Sequence, residues 1–157
     1  MKTLFKFITF TMCCCISFAA VYSEQKFDKL IIAEAWIRQP IANNPVTSGY
    51  MTISNSGTTD KTLMSITAKF AKKSQLHETF IDGDTMKMRS LKNGILIPAG
   101  ETVYLKPGSH HIMFMKFAQH LKHLESKNVT LIFKTGHSVT VKMTVKPVHM
   151  EMSSHSH

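Results

Sequence analysis

The chain has 157 residues, a net charge of +9 and three cysteines, Cys13, Cys14 and Cys15, which bounds it to one domain with tails and a single core. Its lysines are scattered singly, without the dense runs or interleaved aromatics of a nucleic-acid groove, so no nucleic-acid partner is expected. A basic exported domain can instead meet anionic lipid or an acidic partner, or simply present a solvated surface.

The start reads as an address. Lys2 and Lys6 form a positive segment, Leu4 to Ala20 is mostly apolar, and Val21-Tyr22-Ser23 offers a peptidase site, so residues 1–23 are expected to be a cleaved signal peptide, with Ala20 as the second choice of cut. A retained membrane anchor is the competing reading, since the apolar run approaches the ~17 residues that just span a bilayer. The three cysteines raise lipidation, but no small-residue lipobox precedes them. After cleavage no cysteine remains, so disulfides and thiolate ligands are excluded from residues 24–147 and from the tail, 148–157. Losing Lys2 and Lys6 takes the basic count from 19 to 17 against 10 acidic residues, or +7.

From Lys29 onward, short alternating or apolar runs are divided by turn residues, with no long helical period. That spacing predicts an all-β Greek-key sandwich of eight or nine strands. Leu30 to Arg38 is the first strand, broken by Pro40 to Pro45, and Ser48 to Ser54 is the second. Thr62 to Phe70 follows. Lys73 to Ile81 and Thr85 to Leu91 form a hairpin, Thr102 to Leu105 and His110 to Phe117 come next, and 118–127 is read as a helical turn. Val129 to Lys134 and Val139 to Val145 close the domain.

Gln75 to Met115 carries the chemistry. With Asp82-Gly83 as a two-residue hairpin loop, paired residues sum to 165, which sets His77 opposite Met88 and on the same face. His111 and Met113, two apart on one strand, also share a face. Two imidazoles and two thioethers can therefore meet, and that set suits copper, Cu(I) in particular. The plainer alternative is an exported β-sandwich protein-interaction module, with Met86, Met88, Met113 and Met115 as core gap-fillers and the histidines as hydrogen-bonded or surface residues. The tail holds His149, Met150, Met152, His155 and His157, a tract whose composition suits a second, more labile site that also takes Cu(II). A blue-copper electron carrier needs a thiolate that the mature chain lacks, and a zinc hydrolase makes poor use of methionine. No nucleophile and base stand together, so no enzyme is expected.

The ordered series Ala35-Trp36-Ile37-Arg38, Ser48-Gly49-Tyr50-Met51, Leu76-His77-Glu78-Thr79, Met86-Lys87-Met88, Leu105-Lys106-Pro107-Gly108 and His111-Ile112-Met113-Phe114-Met115 resembles the periplasmic copper chaperones of the PCuAC type. The resemblance implies a cupredoxin-like sandwich binding Cu(I) through His77, Met88, His111 and Met113. It further implies delivery to a copper protein, with cytochrome c oxidase or one of its assembly factors as acceptor, by a monomer in the periplasm. Family members have His/Met-rich extensions that contribute to Cu(II) binding. Ten residues separate His77 from Met88, as in the family, but 22 separate Met88 from His111, one more than its pattern. His110 restores the count and loses the His-x-Met, so His111 is assigned and His110 kept as a substitute ligand; the extra residue is placed at Lys92-Asn93-Gly94. Cu(I) retention is expected to weaken below about pH 6, from an ordinary histidine pKa of ~6.5.

Overall fold

The structure is a computed structural model that describes residues 29–41, 44–117 and 121–147. The expected signal peptide and the His/Met-rich tail lie outside the described residues. Within them the chain is all β, a sandwich of ten strands: β1 (Leu30–Arg38), β2 (Val46–Asn55), β3 (Lys61–Ala68), β4 (Lys73–Asp82), β5 (Thr85–Ser90), β6 (Ile95–Ile97), β7 (Thr102–Leu105), β8 (His110–Met115), β9 (Ser126–Phe133) and β10 (Ser138–Lys146). The short β6 was not anticipated. Its three residues lie between turns, too few for an alternation to register, yet Ile95 and Ile97 are buried where β6 pairs with β3. No helical turn forms in the described part of 118–127, where a simple turn leads into β9 three residues earlier than expected.

The hydrogen-bonded order is β5-β4-β8-β2-β1-β10-β9-β3-β6, with β7 added to β2. β2 is shared: Val46 to Gly49 pair with β8, and Met51 to Ser54 pair with β7. The path folds back so that β3 lies against β4. Between the layers sit Ile37, Met51, Ile53, Leu76, Ile112 and Phe114 from one side and Leu63, Val129, Leu131, Phe133 and Met143 from the other, all buried. Each such side chain contributes roughly 1.5–3 kcal/mol when fully buried. Gly49 is the close-approach point, since a Cβ there would stand 2.7 Å from the Phe114 ring. Asn55, also buried, is satisfied by the carbonyls of Thr59 and Ile97 and by the Gly57 amide.

The β4–β5 hairpin corrects the expected register. Asp82 pairs with Thr85, Thr79 with Met88 and His77 with Ser90, so paired numbers sum to 167 and the loop is Gly83-Asp84. Gly83 has φ +61 and Asp84 does not share the positive sign, which is the glycine-first pattern of a type II′ loop. An Asp82–Lys87 ion pair ties the two strands beside the loop. The slip is two residues, and because strand faces alternate with period two it leaves His77 and Met88 on one face as diagonal neighbours.

Candidate metal centre

Three neighbouring strands, β5, β4 and β8, carry the donors expected from the sequence. His77 on β4 stands directly opposite His111 on β8, and Gln75 opposite Met113. Directly paired residues point to one side, so His77, His111 and Met113 share a face whose reverse is made by Leu76, Ile112 and Phe114 in the core. The alternation that buries those three is what turns the donors to the other face of the sheet. The imidazole centroids are 5.9 Å apart, with planes inclined by 46°.

Two of the inner donors, His111 and Met113, are oriented by a hydrogen bond. His111 is only 4% exposed, and its Nδ1 lies 2.9 Å from the Ser109 carbonyl. The carbonyl can only accept, so Nδ1 carries the proton and Nε2 is left with its lone pair for a metal. The Ser48 hydroxyl donates to the Met113 sulfur at 3.6 Å, from a residue directly opposite it on β2. His77 Nε2 is buried without a hydrogen-bond partner. Burial first, then the neighbouring His111 and the Lys73 ammonium, push the His77 pKa below its ordinary value. A neutral imidazole with an unpartnered buried nitrogen is the state a metal ligand requires.

The outer donors are less held. Met88 shares the face but is diagonal to His77 on the edge strand β5 and 61% exposed. Met86 is opposite Ile81, four positions along β4 from His77, or about 13 Å at the rise of a strand. It does not join the pair. Nor does His110, the substitute ligand: it is opposite Glu78, its Nε2 3.6 Å from that carboxylate, on the other side of the sheet. Adjacent strand residues point oppositely, so the choice between the two histidines is made by the face. His149, Met150, Met152, His155 and His157 lie outside the described residues.

Among the described residues no three His, Cys, Asp or Glu side chains converge as a metal-holding group. An ion held by the His77–His111 pair has the Met113 thioether two residues along the same face as a further donor, and thioether sulfur is a soft ligand that suits Cu(I). Sequence reasoning missed Ser48 and Ser109 as the groups that orient Met113 and His111. Ser48 is assigned to its partner only by the β2–β8 register, which no local pattern reveals.

Residues 30–145 match a family model described as "Putative lipoprotein LpqE-like". A relative from Leifsonia xyli subsp. xyli, named "Putative lipoprotein Lxx21020", is 32% identical over 119 residues, covering 76% of this chain and 70% of its own. Among solved structures, the copper-bound PCuAC domain from PmoF2 is similar with a TM-score of 0.63 at 20% identity, over 76% of this chain and 93% of that one. The Cu(I) form of DR1885 from Deinococcus radiodurans is similar with a TM-score of 0.57 at 26% identity, over 74% and 76%. The fold is thus that of the PCuAC domains, and the chain belongs to the LpqE-like family.

Proposed function

We propose that this protein is an exported copper carrier that holds Cu(I) through His77, His111, Met113 and Met88 and passes it to a copper protein. The observation that carries this reading is the cross-strand pair His77–His111, with an unpartnered buried His77 Nε2 and the Met113 thioether two residues along the same face. The two solved relatives named above, one copper-bound and one a Cu(I) form, support it. The donors are all neutral, so an acceptor can replace them one at a time without separating a thiolate from a cation. The exposed Met88 is the donor an acceptor reaches first. The core-methionine alternative fits Met51 and Met143, which are fully buried, but not Met86 or Met88.

The setting follows the same reading: a signal peptide cut after Ser23, a periplasmic monomer, and cytochrome c oxidase or one of its assembly factors as acceptor. The lipoprotein descriptions of the family support residence in the cell envelope. The tail, through His149, Met150, Met152, His155 and His157, forms a second site that takes Cu(II). Anaerobic Cu(I) titration with X-ray absorption at the copper edge tests the site. One Cu(I) per chain with mixed sulfur and nitrogen neighbours, lost in His77→Ala and in Met113→Leu, is expected; undiminished retention in both variants overturns the assignment. Removing residues from His149 onward lowers Cu(II) uptake and spares Cu(I), and an equal loss of both would mean one shared site.

A further inference from the structure

Strand directions place the described residues of three connections, 39–41 with 44–45, 69–72, and 116–117 with 121–125, at one end of the sandwich, where β1, β3, β8 and β10 finish and β2, β4 and β9 begin. These connections and the strand residues bordering them contain one carboxylate, Glu125, which is held by Lys127. Against it stand the exposed Lys69, Lys72, Lys73, Lys116 and Lys122, with Lys142 beside them. Lys69, Lys127 and Lys142 border an open cavity of about 600 Å³ at this end. The opposite end is mixed, with Asp60, Asp82, Asp84 and Glu101 among its lysines.

Exposed aliphatic side chains accompany this charge, as they also occur elsewhere on the molecule at Ile31, Ile81 and Leu96. Ile41 and Leu124, on two different connections of the basic end, are 76% and 66% exposed. Leu124 (φ 60) and Lys116 (φ 57) are both held in the left-handed region, which non-glycine residues adopt at a cost. Aliphatic side chains carried on loops within a lysine-rich surface match a bilayer interface, where the ammonium groups meet anionic headgroups and the apolar tips enter the acyl boundary. An acidic protein surface would satisfy the lysines but gives no reason for two exposed aliphatic tips.

We infer that this end docks on an anionic phospholipid surface, through Lys69, Lys72, Lys116 and Lys122 together with Ile41 and Leu124. Docking in this pose keeps the His77–Met113 face close to the membrane: Lys73 pairs with Met115 two positions from the Gln75–Met113 pair, about 7 Å along the strand. A carrier bound this way searches for a membrane-embedded acceptor along a surface.

The exported protein, free of metal so that the result is independent of copper, is sedimented with phosphatidylcholine vesicles containing about one-third phosphatidylglycerol. Binding is expected to the mixed vesicles and not to phosphatidylcholine alone, and to fall with added salt. Lys72→Gln, Lys116→Gln and Lys122→Gln should each weaken it roughly 5-fold. Ile41→Asp and Leu124→Asp should weaken it too, while Ile81→Asp at the far hairpin leaves it unchanged. The exposed lysine changes leave the core untouched, so their outcome stands even if a loop aspartate impairs folding. Salt-independent binding, equal binding to neutral vesicles, or lysine variants that bind like the parent would overturn the inference. Capture of a polyglutamate peptide without vesicle binding would overturn it as well, assigning the end to an acidic protein.

Discussion

The two halves of the candidate copper site differ in how firmly the fold holds them. The β8 half, His111 and Met113, is flanked by β4 and β2, oriented by the Ser109 carbonyl and the Ser48 hydroxyl, and backed by the buried Ile112 and Phe114. The β5 half, Met88, is on an edge strand whose six residues are all exposed. Ordered donors lose little conformational freedom on binding an ion, whereas a free methionine must be immobilised at a cost of roughly 1–2 kcal/mol. On the proposed reading a carrier gains from both, with affinity from the inner half and a point of exchange at the outer one.

The sharpest way to break this contrast is His111→Ala, which removes the most buried and best oriented donor. Cu(I) affinity measured by chelator competition should fall by roughly 100-fold, and a loss smaller than that for Met88→Leu would reverse the ranking of the halves. Gly49→Ala attacks the inner half through its packing, because the new Cβ meets the Phe114 ring at 2.7 Å and the ring or its strand must give way. It should lower stability by about 1–3 kcal/mol, read as an earlier denaturant midpoint with an unchanged slope.

Met88→Leu keeps volume and removes only sulfur. A several-fold drop in Cu(I) affinity and no change in stability are expected, with one fewer sulfur at the copper edge. Acid acts more gently, through His77 on β4 between the two halves. His77 has its pKa lowered in the folded chain, so the unfolded chain binds the proton first. The stability of the metal-free protein should therefore decline as pH falls from the ordinary histidine value of ~6.5 through the lower folded one. The dependence should diminish in His77→Gln, as followed by urea unfolding at stepped pH. Smallest of all is His110→Ala, across the sheet from the pair, which should leave Cu(I) binding unaltered; a large loss there would show that the face assignment fails.

Much of this arrangement is legible in the chain. Alternation in His110 to Met115 sends Ile112 and Phe114 inward, so His111 and Met113 must face together. Glycine and proline turns delimit β1, β4, β7 and β8 to within two residues of their observed ends, because these turns are local events. The hairpin loop lies one residue later than expected and the register two, since Asp-Gly and Gly-Asp overlap at Gly83 and both make two-residue loops. Face survived the slip and register did not.

What the sequence determined on its own is composition and periodicity: an all-β domain, and the side of each strand on which a candidate imidazole or thioether donor lies. Those are short-range properties, fixed by neighbours two or four residues apart. Only tertiary structure decided that His77 stands beside His111 and not merely near it, that Ser48 reaches Met113 from a strand 65 residues away in sequence, and that lysines from three separate connections gather at one end. Such juxtapositions are set by which strands pair and in what order, a choice governed by the burial of the whole core and by no single segment.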